Sequence, residues 1–511
     1  MSKKKAAPAA KYRVKNALVN YYLVLMFTLF PLFFTQQYSN IRHDKLYLFI
    51  VLSLMLIFGE GIVLLVSLSD RERNPEPGKK PWYRELGATD IAFGALVLCY
   101  VISTVFSGYP LDSLTGNQGR NNGLLLMIIY FLIYIIISRS FVFKDYVFAA
   151  FAVCSSAVFL LAALNFFYID PLSMFSGYSD KIVNDFISTI GNKNIMSCYC
   201  CLSVSLFFML FINTAGPLRY LYLTASGLGF SAMLCADSES GILGLSAAAA
   251  FALILYSKNS SKLRDLFVSL SVMLIFAKLF GLFALVFGGG SKELGAIQRF
   301  FVYDPLSFIL LGVFAFSALL CLRFGGSTLP KAFTVVIVSA VAFTVLVVLG
   351  AFVYFTFIDA ETPLDGAMSY FRFSDKWGTH RGYIWRKSAE IFAGSDIKSM
   401  LFGSGPDTLY SQFSPYFGEL KRLYGDSSTN CAHNELLNYL VTTGVLGLGA
   451  YIALFSSALV RAVRSKKALA AVFAVPVFSY LAQSVVNIAT PITTPLLFIM
   501  LALSLSCAKK E

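Results

Sequence analysis

The sequence predicts an all-α, polytopic integral membrane protein of about 14 transmembrane helices, with one long, partly helical extracytoplasmic loop. Composition predicts it first. Of 511 residues, 57% are hydrophobic and only 14% charged, against about a quarter charged in soluble domains. The apolar stretches are also continuous over span length, where a transmembrane strand would alternate at period two. Backbone in lipid must close its own hydrogen bonds, so such stretches are helices. Finally, basic connections recur on one side of the resulting weave.

The candidate spans centre near Met26, Met55, Leu96, Phe131, Ser156, Ser203, Ala225, Ala247, Ile275, Gly312, Val341, Val445, Ser479 and Ile499. The last two are joined by a tight turn around Ala489, Thr490 and Pro491. The net charge is +13, and its placement matters more than its size. The N-terminal KKK and KYRVK, the connections RERNPEPGKKPWYR, SKNSSKLR and RAVRSKK, and the tail CAKK all fall on one side. By the positive-inside rule that side is cytoplasmic and both termini lie there. The lipid bilayer is thus a partner, and nothing in the charge pattern marks a nucleic-acid partner. The first apolar segment is span-length without an Ala-x-Ala cleavage site, which reads as a retained anchor. The nine cysteines lack metal spacing. Cys198, Cys200 and Cys201 fall inside a span as small core residues, and Cys431 beside His433 has no evident third ligand. Neither a metal nor a cofactor is expected.

The whole chain, 1–511, reads as a single membrane domain. Its cytoplasmic connections are short, but the outer one at 358–433 is roughly 75 residues, far beyond the usual 4–6, and such loops are usually functional. Within it, Ile384, Trp385, Ser388, Ile391 and Phe392 form one stripe at helical period, and Arg381 falls in that stripe. Arg386 and Glu390 fall opposite, spaced as an exposed pair. An arginine on an apolar face needs an anion, a structural carboxylate or lipid headgroups. LFGSGPDTL then interrupts helix formation as a tight turn.

The loop ends in CAHNELLNYL, with His433 and Asn434 at the outer start of a span. A helix start offers unpaired N–H groups and partial positive charge, a natural place for phosphate. His433 is either a structural interfacial residue, an anion ligand or a base. Gly444, Gly447 and Gly449 read as close helix packing. Arg120 stands just before another outer span start, and Asn192, Lys193 and Asn194 before a third. Asp237 and Glu239 lie at an outer turn as the best-placed carboxylates. Arg372, early in the long loop, is a further candidate cation. Glu60 and Lys278, both within spans, are placed to pair. No Walker loop, dinucleotide fingerprint or nucleophile elbow is present.

These residues, in their order and shared outer location, resemble the O-antigen ligase and polymerase superfamily of bacterial surface-glycan assembly. The carriers are Gly116, Arg120 and Gly123; Gly191, Asn192 and Asn194; Arg381 and Trp385; Gly403, Gly405 and Pro406; and His433, Asn434 and Leu437 followed by Gly444, Gly447 and Leu448. They cover roughly residues 105–195 and 370–450. The resemblance implies metal-independent, inverting transfer, or polymerisation, of a glycan from undecaprenyl diphosphate to a sugar hydroxyl, outside the bacterial cytoplasmic membrane. It implies His433, Arg381 and Glu239 as catalytic candidates, and Arg120, Asn192, Lys193, Asn194, Asn434 and Arg372 as substrate-binding ones. Members often carry Ser-Arg where this chain has Ser238-Glu239, and Asn-Pro-Asn where it has Asn192-Lys193-Asn194. A transporter or flippase of an anionic or lipid-linked substrate is the alternative; it requires midplane charges, broken helices and an inverted repeat.

Overall fold

The computed structural model describes residues 10–73, 86–117, 119–287 and 290–508. The KKK run, most of RERNPEPGKKPWYR and the last residues of CAKK lie outside these. Fifteen long helices are numbered here: α1 Ala10–Phe27, α2 Ile41–Arg73, α3 Ala88–Phe106, α4 Leu124–Ser140, α5 Asp145–Phe166, α6 Lys193–Asn213, α7 Leu218–Cys235, α8 Glu239–Tyr256, α9 Ser260–Val286, α10 Ser307–Leu322, α11 Lys331–Val353, α12 Trp377–Ala393, α13 Glu435–Arg464, α14 Ala468–Ser484 and α15 Thr494–Ala508. All fourteen predicted centres fall inside one of these helices. Among the described residues, eight helices are long and apolar enough to cross a membrane. A ninth arises if Ala296–Val302 and α10, bent by 58°, count as one span. The chain is a polytopic helical membrane protein. The single sheet among the described residues is a two-residue pairing, with Phe186 opposite Asn192 and Ile187 opposite Gly191.

Helix α6 is the centre of the bundle, buried along its apolar length and packed by α7, α8, α9 and α14. Its small Ser and Cys side chains, with Cys198, Cys200 and Cys201 all buried, let neighbours approach closely, as interfaces in lipid require. Gly244 of α8 uses that closeness, since a Cβ there would meet Cys201 Sγ at 2.6 Å and the Ser479 carbonyl at 2.7 Å. Helix α11 is the opposite case, apolar throughout with none of its residues buried.

Polar contacts sort the connections into two ends. At one end, Gln37 donates to the Ser176 carbonyl, Arg42 to that of Gly119, Arg120 to that of Ala489, and Lys292 to that of Phe186. At the other, Asn16 donates to the Ser140 carbonyl, Lys262 to that of Ile212, and the Leu329 N–H to that of Lys258. Glu60 and Lys278 do not meet. Glu60 lies about 28 Å along α2 from its start, whereas Lys278 lies about 12 Å from the end of α9. Glu60 pairs with Lys15 at 2.7 Å, and Lys278 donates to the Asp304 carbonyl at 2.9 Å.

The long connection between α11 and α13 carries a small core of its own, with Tyr383, Ile384, Phe413 and Leu420 buried. It docks where α13 breaks. Gly444 has φ +71°, outside the helical region. The freed carbonyls of Val441 and Thr442 accept from Ser404 N–H at 3.1 Å and Gly405 N–H at 3.0 Å. Of the three glycines read as packing positions, Gly444 makes this kink, a Cβ on Gly447 would meet its own helix at Thr443, and a Cβ on Gly449 would meet nothing.

Candidate active site between two cavities

The polar starts of α4, α6, α8 and α13 converge at the end of the bundle that carries the long connection. Asn192 and Asn434 are helix caps: Asn192 Oδ1 accepts from Asn194 N–H at 2.9 Å, and Asn434 Oδ1 from Leu437 N–H at 3.0 Å. Each satisfies one of the helix-end donors. Asn194 Oδ1 accepts from the Ser238 hydroxyl at 2.8 Å, and its carbonyl from Asn487 at 3.0 Å, which ties α6 to α8 and to the turn before α15.

Arg120 is buried, and its guanidinium is only partly satisfied. Nη2 donates to the Ala489 carbonyl at 3.0 Å, Nε lies 3.8 Å from Asp407 Oδ1, and Nη1 has no hydrogen-bond partner among the described residues. Asp407 sits at φ +60° in the turn that enters the α13 kink. Its Oδ2 accepts from Asn117 N–H at 2.9 Å and Asn122 N–H at 3.0 Å, so it braces the loop bearing Arg120 from both sides. Burial pushes the Asp407 carboxyl up to about 6, against the Arg120 charge and the two N–H groups. Glu435, the first residue of α13, is buried as well and accepts from Ala489 N–H at 3.0 Å.

A second group surrounds Glu239. Lys193 Nζ lies 3.9 Å from Asp237 Oδ2, and Asp237 Oδ1 accepts from Gly295 N–H at 2.7 Å. Burial, then the Glu239 carboxylate, raises the Tyr370 phenol above its ordinary range. Arg381 opens the regular part of α12, after a left-handed stretch at Gly378, Thr379 and His380. Its guanidinium carries no hydrogen bond among the described residues. Burial holds its pKa below the usual guanidinium value, with Glu239 opposing. Arg372 stands apart, its guanidinium spent on the carbonyls of Phe355, Asp359 and Thr362.

His433 lies between the groups, half-buried at φ +50°. Burial first, then the Arg381 and Arg120 charges, push its pKa down to about 3. The imidazole is therefore neutral at physiological pH. It lines two cavities. One is walled by Ile41, Ile182, Phe186, Ile195 and Ile492, with Arg42, Asn192 and Asn194 among them. The other is polar, walled by Asp112, Thr115, Asn117, Tyr410, Thr429 and Asn430.

Residues 305–452 match the family model described as O-antigen ligase. The resemblance to the O-antigen ligase superfamily holds over that stretch. No curated protein matches the chain. The matched region runs from just before α10 into α13 and contains Arg381, Arg372, His433 and Asn434. Arg120, Asn192, Lys193, Asn194 and Glu239 lie outside it and reach the same end of the bundle through the fold. Sequence reasoning missed Asp407, Glu435 and Arg42. Arg42 carries the signal that marked Arg120, a cation at the outer start of a span. Asp407 is hidden inside a turn motif, where aspartate is an ordinary turn residue.

Proposed function

We propose that this chain transfers or polymerises a glycan carried on undecaprenyl diphosphate onto a sugar hydroxyl, without a metal and with inversion, outside the bacterial cytoplasmic membrane. The chain crosses that membrane fourteen times with both termini inside. The observation that carries the reading is His433, uncharged and shared by an apolar-walled cavity and a polar one. The donor's prenyl tail and diphosphate belong on the apolar side, near Arg42, and the acceptor glycan on the polar side. His433 takes the proton of the acceptor hydroxyl as its oxygen bonds to the anomeric carbon. The bond from that carbon to the diphosphate oxygen breaks, and the diphosphate leaves with the electron pair. A single displacement from the opposite face inverts the centre. Arg381 and Arg120 have free donors for the charge that grows on the leaving oxygens. Glu239 favours the charged form of Arg381, while Lys193, Asn192, Asn194 and Asn434 shape the donor side; Arg372 holds the long loop.

The test is complementation of a host deleted for this gene, profiling surface glycan and undecaprenyl-diphosphate-linked glycan. The deletion and His433→Ala are both expected to accumulate lipid-linked donor. Loss of chain length alone assigns polymerisation, and loss of attachment with long chains assigns ligation. Normal glycan from His433→Ala at normal expression removes His433 as the base. Donor trapped on the inner leaflet points instead to a flippase.

A further inference from the structure

The polar cavity has a charge sign, and the sign restricts what can enter it. Among the described residues lining it, Asp112 carries the one formal charge, and no lysine or arginine faces it. The Asp112 carboxylate is half-buried and takes no hydrogen bond or ion pair from any described residue. The rest of the wall is hydroxyls and amides, which both donate and accept, as sugar hydroxyls require. His433, where the two cavities meet, is uncharged and does not offset Asp112. Arg120 is turned to Asp407 and Ala489 and is not part of the wall. The cavity on the other side of His433 has the reverse character, with Arg42 in its wall and no carboxylate.

We propose that the polar cavity binds a glycan end that carries no negative charge, bearing hydroxyls or an amine, with Asp112 as the residue that sets this specificity. The identification of that glycan as the acceptor rests on the transferase reading; the sign of the cavity does not. A hydroxyl or ammonium group gives the unpartnered carboxylate a charge-assisted hydrogen bond. A uronate or phosphate would instead be desolvated beside a like charge with no cation to compensate, which is how sites reject a competitor.

The full-length chain in nanodiscs tests this in two ways. First, Ser428→Cys places a thiol on the exposed rim of the cavity. Its rates with cationic and anionic methanethiosulfonates are compared with those of a free thiol, after subtracting the unsubstituted chain. A preference for the cationic reagent is expected, and the share set by Asp112, up to roughly tenfold, is its difference from Asp112→Asn, because exposed Asp426 adds a share of its own. Asp112→Asn should lower it and Asp112→Lys lower it further; if the lysine variant does not fold, the asparagine variant decides alone. No preference, or one unchanged in Asp112→Asn, overturns the proposal. Second, three β-1,4-glucosamine tetramers that differ only at nitrogen, as free amine, N-acetyl and N-succinyl, compete for protection of that thiol. Protection by the first two and not the third supports the proposal, and protection by the N-succinyl tetramer overturns it. His433→Ala should stop transfer and leave the reagent preference intact. A chain with the preference but without transfer would sink the transferase reading and keep the cavity's specificity.

Discussion

His433 and Asp407 illustrate how single residues divide the work at this site. His433→Ala should lower transfer by about 10²–10⁴-fold, the usual worth of a general base, at unchanged expression. With its pKa near 3, His433 supplies no acid limb to the rate profile above that pH. Asp407 does. Its carboxyl is raised to about 6 by burial, so it is ionised at neutral pH and protonated below. The folded state then binds the proton more tightly than the unfolded chain, so this group's contribution to stability falls as pH rises from about 4 to 6 and is absent above. Transfer should move the other way, dropping below about pH 6 as Arg120 loses the anion that holds it. In Asp407→Asn the acid limb should disappear while transfer is low at every pH. An Asp407→Asn profile that keeps its limb near 6 would assign that limb to another group. The sequence made Arg120 and His433 legible because a polar residue at the start of a long apolar run breaks the pattern. Asp407 breaks no pattern, and its role depends on a turn packing against a loop nearly three hundred residues earlier in the chain.

At the scale of elements, the long connection is fixed to the bundle by a helix that breaks. The turn at Gly403–Gly405 supplies N–H groups to the Val441 and Thr442 carbonyls that the Gly444 kink leaves open. The Ser107 hydroxyl donates to the Ser404 carbonyl at 2.7 Å, so α3 closes the same joint. Gly444 combines φ +71° with ψ −175°, a region only glycine occupies without strain. A Cβ there would also collide with the Leu401 carbonyl. Gly444→Ala is therefore expected to cost about 2 kcal/mol or more, and to lower transfer by loosening the loop that carries Asp407. Gly449→Ala, which meets nothing, should be silent in both thermal midpoint and transfer. Equal effects from the two would contradict this division. Hydropathy placed α13 correctly but cannot reveal a positive φ, so the glycine run reads from sequence as packing. Spacing did better on α12: Arg386 and Glu390 pair at 2.7 Å, as the four-residue interval predicts. The second partner of Arg386, Asp375 at 2.7 Å, is eleven residues away, beyond what helical spacing reveals.

Over the whole molecule, apolar periodicity located the helices, because each span must bury its length in lipid or in its neighbours whatever the tertiary detail. It could not say which helices lie inside the bundle. Helices α6 and α11 are both strongly apolar, yet one is buried and the other has no buried residue. Small residues do not separate them either, since α11 carries Ala, Ser, Thr and Gly at least as often as α6 carries Ser and Cys. Arg139, Arg219, Lys258, Lys262, Arg264 and Arg461 lie on the connections opposite the candidate site, the side that the positive-inside rule would make cytoplasmic. Crossing the membrane at each of the fourteen predicted centres makes the connections alternate, and that alternation is testable without any assay of transfer. Single cysteines at exposed positions, Ser176→Cys and Ser427→Cys on the site end and Ala215→Cys on the basic end, are read with a membrane-impermeant maleimide on intact spheroplasts and again after lysis. The first two should label in intact cells and the third only after lysis. Two of these connections are separated by one helix, α6, so one reversed result between Ser176 and Ala215 means that α6 does not cross. Reversal of all three together would keep the fold and invert it in the membrane. The candidate site would then face the cytoplasm, which no transfer onto surface glycan from an outward-facing lipid donor permits.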